Sequence, residues 1–538
     1  MAFGGGAMTN SINELETAEV ILVVGSNTTE QHPIIGEKII SAKRRGGKLI
    51  VIDPRRVQLA EFADFFLQIR PGSDVACING LIQVILSEGL EDREFIASRT
   101  EGFDGVREAV AAYTPNKVAE LTGVQAEMLV EAARIFGAAK SASIVYCMGV
   151  TQHIAGTKNV LSLANLAMVT GNLGKEGAGV NPLRGQNNVQ GACDMGCLPD
   201  VFPGYQRVVD PSAQEKFRVT WGVRDLCDQP GMTIPEMFEE ALGGRIKAMV
   251  IMGENPLVSE PDIENVRRAA GKLELLVVID IMHTETTSLA DVAFPAASFC
   301  EKEGTFTSTE RRVQRVRKAI EPLGKAQPDW KIICDLAREL GAPGFDFASP
   351  EEIFDELRKV TPQYAGISYA RLEGQGIQWP CPTGDHPGTP ILHLNEFSRG
   401  RGKFIPVEYH PPAEGTDDEY PLVLSTGRII FQYHTGTMTR NSPSLKKEVN
   451  EPFVEVNPGD AFRLGLGEGE LVKVTTRRGE ILLRARITSK VREGMIFIPF
   501  HFSEAAANLL TCKELDPVAK IPELKACAAR IDKWDKGD

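Results

Sequence analysis

The sequence has no cysteines in C-x-x-C spacing, no apolar run of membrane-spanning length and no excess of positive charge. The first absence excludes, within these residues, a zinc ribbon and an iron–sulfur loop of the usual spacing. The second excludes an integral membrane protein, because stretches such as Val20–Val24 and 275–279 have the length of buried strands. The third, a formal net charge of −13, argues against nucleic acid or an anionic lipid surface as the main partner. The glycine fingerprint G-x-G-x-x-G is missing too, which removes the usual nicotinamide dinucleotide signature. Ten cysteines are scattered without an ordered framework, so reduced thiols are expected, with Cys193 and Cys197 buried. The N-terminus carries neither a twin arginine nor an apolar signal core, and a cytoplasmic location is the expectation.

What is present is a chain of 538 residues, room for roughly three or four domains. Short β-rich runs alternate with amphipathic segments: strands at 20–24 and 49–52, helices at 34–44, 75–87 and 126–139. Strand–helix alternation predicts a doubly wound parallel sheet that binds ligands at the carboxyl ends of its strands. The same grammar returns with strands at 248–252, 275–279 and 290–294, and closely spaced strands at 471–476, 481–487 and 495–499 predict a small β-barrel. The expected division is an α/β domain over 1–186, a second over 187–370, a loop-rich connector over 371–419 and a barrel domain over 420–538.

An internal repeat carries the most information. Val20-Ile-Leu-Val-Val-Gly25-Ser-Asn27 is matched by Ala248-Met-Val-Ile-Met-Gly253-Glu-Asn255. Gly25 is followed 28 positions later by Asp53, and Gly253 is followed 27 later by Asp280. A second aspartate, Asp64 or Asp291, then lies 11 residues further on in each copy. Each segment reads as a mononucleotide-binding half, with glycine admitting a phosphate and a strand-end acid reaching ribose or base. Two nucleotides bound by paired halves is the implied arrangement.

The stretch from Thr170 to Gly196 is dense in glycine, asparagine and glutamine, suited to backbone wrapped on a polar ligand. Arg184 is its one basic residue after Lys175, and arginine grips a carboxylate through two parallel hydrogen bonds. Tyr433-His434-Thr435-Gly-Thr437 offers an imidazole and hydroxyls, whereas His501, after an apolar strand, reads as a satisfied core or rim histidine. The cluster Arg311, Arg312, Arg315 and Arg317 is either a solvated face or a phosphate contact.

Several motifs occur in order: Gly25-Ser-Asn-x4-His-Pro33, Ile52-Asp-Pro-Arg-Arg56, Gly149-Val-Thr-Gln152, Thr170-Gly-Asn-Leu-Gly174, Arg184-Gly-Gln-Asn-Asn-Val-Gln-Gly-Ala-Cys-Asp-Met-Gly196, Met252-Gly-Glu-Asn-Pro-Leu257, Gly304-Thr-Phe-Thr307 and Thr426-Gly-Arg428. In these the chain resembles the catalytic (alpha) subunits of molybdenum- or tungsten-dependent formate dehydrogenases, of the bis-molybdopterin-guanine-dinucleotide oxidoreductase superfamily. The resemblance implies interleaved doubly wound α/β domains with a C-terminal barrel of double-psi type. It implies two guanine dinucleotides, with Gly25, Asn27, Glu30 and Asp53 around one and Asp280 and Thr284 at the other. Met148, Gln152 and Gln186 match positions lining the pterins and the metal; Arg428, His434, Thr437 and Asn508 match pterin-facing barrel motifs. Arg184 matches the arginine that orients formate.

The implied reaction is oxidation of formate to carbon dioxide, with electrons leaving to iron–sulfur or diaphorase-type partner subunits. The family carries an N-terminal 4Fe-4S domain and a cysteine or selenocysteine metal ligand ahead of the glycine-rich stretch that is Gly4-Gly-Gly-Ala-Met8 here. Met1 falls about ten residues after that ligand. The resemblance therefore implies an N-terminally truncated chain with no metal ligand of its own, inactive by itself. The alternatives are a non-catalytic scaffold subunit of an electron-transfer complex and a nitrate-reductase-like oxidoreductase.

Overall fold

The computed structural model describes residues 1–534. The chain forms two compact units: unit 1 comprises 1–185, 261–263 and 391–538, and unit 2 comprises 186–260 and 264–390.

Unit 1 is organised by a five-stranded sheet of β1 (Val20–Val24), β2 (Lys48–Ile52), β3 (Phe65–Leu67), β4 (Ala142–Tyr146) and β5 (Gly179–Pro182), in the order β3-β2-β1-β4-β5. All neighbouring pairs are parallel. The continuous apolar run of β1 follows from burial on both faces. Val20, Leu22 and Val24 join one core and Ile21 and Val23 another. Helix α1 (Pro33–Arg44), opened by a proline in its first turn, supplies Ile35 and Ile39 to the second core. Helices α2 (Asp74–Ser87), α3 (Ala126–Ala138) and α5 (Gly156–Val169) build the first, and the short α4 (Met148–Thr151) leaves the end of β4. The strand order reverses between β1 and β4, the switch point where doubly wound sheets bind ligands.

Unit 2 begins with α6 (Val189–Asp194) and holds α7 (Ile234–Leu242) and a parallel sheet of β6 (Ala248–Met252), β7 (Leu275–Asp280) and β8 (Val292–Pro295), in the order β8-β7-β6. A second, antiparallel sheet joins β9 (Gly304–Thr307), β10 (Arg312–Val316) and β11 (Ile377–Gln378). Met249 of β6 packs with Phe238 and Ala241 of α7, while Val250 on the other face is 56% exposed.

The C-terminal part of unit 1 is a closed six-stranded barrel of β12 (Leu422–Gly427), β13 (Phe453–Val456), β14 (Leu471–Thr475), β15 (Glu480–Ile487), β16 (Met495–Pro499) and β17 (Cys527–Lys533). The alternating burial of β15 sends Ile481, Leu483 and Ala485 inward. Two parallel pairs, β12 with β16 and β13 with β15, make it a mixed barrel rather than a simple meander. The α/β class and terminal barrel expected from the sequence are both present. Expected and observed strands agree to within one residue at their ends, save that the strand placed at 290–294 starts two residues later, running over Val292–Pro295.

Candidate functional site

In unit 1 the turns at the ends of β1 and β4 meet. Gly25, at φ +54°, donates its N–H to the Ile52 carbonyl (2.9 Å), and its own carbonyl accepts from Gly149 N–H (3.1 Å). A Cβ on Gly25 would lie 2.7 Å from the Gly149 carbonyl carbon, so only glycine allows this approach.

The next residues are unusual. Asn27 caps a single helical turn through its backbone, yet both of its side-chain polar atoms are buried without a hydrogen-bond partner. The same holds for Thr29 Oγ1, Gln31 Nε2 and His32 Nδ1. Burial holds the His32 imidazole below the ordinary histidine value, so the ring is neutral. Its Nε2 lies 2.6 Å from the Arg184 carbonyl, which can only accept, so Nε2 carries the proton and Nδ1 presents a lone pair. His32 is thereby tied to the backbone of Arg184. Glu30 stands half-buried in the same turn.

Asp53 ends β2. Its Oδ1 accepts from Arg55 N–H (2.9 Å), and burial pushes its carboxyl up to about 7. Arg55 turns away into a buried two-bond pair with Glu455 (2.7 Å each) and lies over Phe497. Half-buried Met148 and Gln152 flank the turn of α4, where the Gln152 N–H returns to the Met148 carbonyl at 3.0 Å.

On the barrel side, Arg428 donates to the Gly185 carbonyl (2.9 Å), one residue beyond Arg184. Burial and the Arg428 charge push the His434 imidazole down to about 4 and leave it neutral. His434 takes a left-handed backbone, φ +49°, and its carbonyl accepts from His501 Nδ1. His501 accepts the Ile429 N–H at Nε2 (3.1 Å), so both of its nitrogens are used, the satisfied histidine expected from the sequence. Thr437 bonds Thr435 (3.0 Å), and Asn508 is buried beside Thr511. Arg184, His32, Asp53, Arg428 and His434 are thus all carried by unit 1, with Arg184 held at its backbone by His32.

Unit 2 carries the second copy of the repeat. Gly253, at φ +62°, donates to Ile279 O (2.9 Å) as Gly25 does to Ile52. Asp291 accepts from Leu276 N–H (2.7 Å) as Asp64 accepts from Leu49 (2.8 Å). Asn255, however, is satisfied: Thr286 donates to its Oδ1 from Oγ1 (2.6 Å), and its Nδ2 donates to Glu285 (2.8 Å). Asp280 accepts from the N–H groups of Ile281 (2.6 Å) and Met282 (3.2 Å), and Thr284 is buried in a turn closed by Thr287 and Ser288. Gln186 is half-buried at the start of this unit.

Three features differ from the sequence reading or escaped it. Arg311 belongs to neither a solvated face nor a phosphate contact: it is fully buried at φ +69° and donates to the carbonyls of Trp379, Thr389 and Pro390. Cys197 is exposed and Cys193 half-buried, because Gly196 at φ +83° ends the turn after α6 and sends the chain outward. Lys525, not singled out before, is half-buried, donates to the Thr426 carbonyl (2.7 Å) and is pushed by desolvation to about 8. Only its place two residues before a strand signals it.

The fold and these two matched halves define a protein of known type. The chain belongs to the molybdopterin oxidoreductase family, whose domain matches residues 3–339, and the molydopterin dinucleotide binding domain matches residues 422–528. Its relatives include the F420-dependent formate dehydrogenase subunit alpha of Methanocaldococcus jannaschii, 55% identical over 534 residues (99% of this chain, 79% of that protein). Formate dehydrogenase H of Escherichia coli is 43% identical over 535 residues (98% and 75%). Acetylene hydratase from Pelobacter acetylenicus shares the fold, with a TM-score of 0.79 at 22% identity over 99% of this chain and 80% of that one. No helix of the described residues is long and apolar enough to cross a membrane.

Proposed function

We propose that this chain is a formate dehydrogenase catalytic subunit, oxidising formate to carbon dioxide with molybdenum or tungsten held by two molybdopterin guanine dinucleotides. The observation that carries the reading is the 55% identity, sustained over 534 residues, to a formate dehydrogenase alpha subunit. A 4Fe-4S cluster in the intact enzyme, iron–sulfur or diaphorase-type electron-accepting subunits and a cytoplasmic location belong to the same proposal. So do the four segments 1–186, 187–370, 371–419 and 420–538.

The residues of unit 1 fit such a cofactor. The unpartnered atoms of Asn27, Thr29, Gln31 and His32 offer donors and acceptors within one turn. A guanosine or phosphate edge has the complementary groups. In this reading Gly25, Asn27, Glu30 and Asp53 hold one dinucleotide, and Asp280 and Thr284 hold the other guanosine. Met148, Gln152, Gln186, Arg428, His434, Thr437 and Asn508 line the pterins. Neutral His434 and His32 hydrogen-bond without adding charge, and Arg428 supplies the cation. When bound, the metal centre supplies the two-electron redox couple.

Arg184 grips the formate carboxylate. Formate has one carboxylate and one C–H bond, so a planar guanidinium bonding both oxygens fixes where the hydrogen points. Replacing Arg184 by alanine in the cofactor-loaded assembly should cost on the order of 2–5 kcal/mol of transition-state stabilisation. Lysine, which keeps charge but loses the fork, should cost less. The test is formate-dependent dye reduction measured beside metal and guanine-nucleotide content. Near wild-type turnover per bound metal in Arg184→Ala would remove the catalytic assignment.

A further inference from the structure

Asp194, the last residue of α6, is fully buried and accepts four hydrogen bonds, none from a cation. Tyr364 Oη (2.5 Å) and Trp379 Nε1 (2.7 Å) donate to Oδ2, and Gln190 Nε2 (2.8 Å) and Tyr205 Oη (2.9 Å) donate to Oδ1. A carboxylate here is costly: it is desolvated, burial raises its pKa, and it stands at the negative end of a helical turn. Apolar packing would hold the helix at lower cost, so what the carboxylate adds is direction.

The direction leads back to Asn188. Tyr364 Oη also bonds Thr307 Oγ1 (3.1 Å), and Thr307 N–H donates to Asn188 Oδ1 (2.9 Å). The Asn188 carbonyl in turn accepts from Ala192 N–H (2.9 Å), which closes a ring through α6 to Asp194. Asn188 is held at φ +60°, a left-handed conformation that asparagine tolerates better than most non-glycine residues. Gly191 makes room for the ring, since a Cβ there would lie 2.1 Å from Asn188 Oδ1.

We propose that Asp194 is a positioning residue. Through Tyr364 and Thr307 it fixes the Gln186-Asn187-Asn188 turn, which is joined to Arg184 through the single residue Gly185, and so sets the affinity of the site for formate. The inference rests on the formate reading for its kinetic consequence but not for its structural one. The experiment uses the cofactor-loaded assembly carrying Tyr364→Phe, which removes one hydroxyl, and Thr307→Val with Thr307→Ser as the conservative rescue. Amide exchange over residues 186–191 should rise at least tenfold in Tyr364→Phe and Thr307→Val and return to the wild-type rate in Thr307→Ser. The KM for formate should rise at least fivefold in the first two, with kcat and cofactor content within twofold. Unchanged exchange in both variants would overturn the positioning role, as would faster exchange with KM unmoved in an enzyme that oxidises formate. A wild-type assembly that does not oxidise formate would instead remove the functional reading, with the exchange result still deciding whether Asp194 orders the turn.

Discussion

The two copies of the Gly-x-Asn repeat share a backbone and differ in what their asparagines have to do. In each, the glycine donates to the last or next-to-last carbonyl of the neighbouring strand at 2.9 Å, and the second aspartate caps that strand's start. In unit 2, Asn255 is fully occupied by Thr286 and Glu285. In unit 1, the side-chain amide atoms of Asn27 are buried with no hydrogen-bond partner. Evenly spaced aspartates align Glu285 and Thr286 with Gln58 and Leu59, so the first copy has an apolar Leu59 where the second has the hydroxyl that satisfies its asparagine. The same motif is therefore a structural staple in one half and an open hydrogen-bonding group in the other. Leaving buried amide atoms unpaired costs about 1–3 kcal/mol, a cost a bound ligand offsets.

The glycines should separate the halves most. Gly25→Ala drives a Cβ to 2.7 Å from the Gly149 carbonyl carbon and 2.8 Å from the Val150 nitrogen, both backbone atoms that cannot yield. Added to left-handed strain, this should cost about 3–5 kcal/mol. Gly253→Ala meets nothing within 4 Å and should cost only the strain, about 1–2 kcal/mol. Denaturant unfolding, with amide exchange to separate the units, measures both. Equal losses would mean that the close approach of the β1 and β4 turns carries no weight.

The strand-end aspartates should differ next. The folded Asp53 carboxyl titrates near 7 because it is buried, whereas an unfolded aspartate titrates near 4. The folded state therefore keeps a proton between about pH 4 and 7 that the unfolded chain releases, and stability falls as pH rises through that window. The loss is complete above 7 and amounts to at most about 4 kcal/mol. Asp53→Asn should thus stabilise the cofactor-free chain at pH 8 and leave it nearly unchanged at pH 4. Asp280 is also raised but only half-buried, and Asp280→Asn should give a weaker dependence of the same sign. Melting curves from pH 4 to 8 decide the matter; a flat difference for Asp53→Asn would refute it.

Much of this was legible in the sequence, and the rest fails for a common reason. The strands, the repeat, the barrel and the glycine turns follow from local pattern, because apolar runs and positive-φ positions are set by neighbours in the chain. Long-range partners were not legible. Arg55 meets Glu455 some 400 positions away, Lys525 reaches Thr426, and Arg311 is drawn into the interior by carbonyls 68 to 79 residues later. An arginine read alone is a surface charge; what makes it a core residue is acceptors that only the fold assembles.

The asparagines themselves give the smallest effect and the most direct comparison. Asn255→Ala removes three hydrogen bonds and leaves the Thr286 hydroxyl buried without its acceptor, so unit 2 should lose about 2–3 kcal/mol. Asn27→Ala relieves two buried atoms that bond nothing in the cofactor-free chain but also removes their packing, and as the two offset, stability should change by less than about 1 kcal/mol. With cofactor bound the order should reverse at Asn27. The wild-type side chain gains partners that alanine cannot offer, so the stabilisation produced by the cofactor should shrink in Asn27→Ala and guanine-nucleotide retention should fall severalfold. Paired melting curves with and without cofactor give both quantities for each variant. If Asn27→Ala destabilises the cofactor-free chain as much as Asn255→Ala does, Asn27 is a staple like its counterpart and the two halves are equivalent. If it leaves both states unchanged, the open amide faces no ligand and the dinucleotide must be held elsewhere.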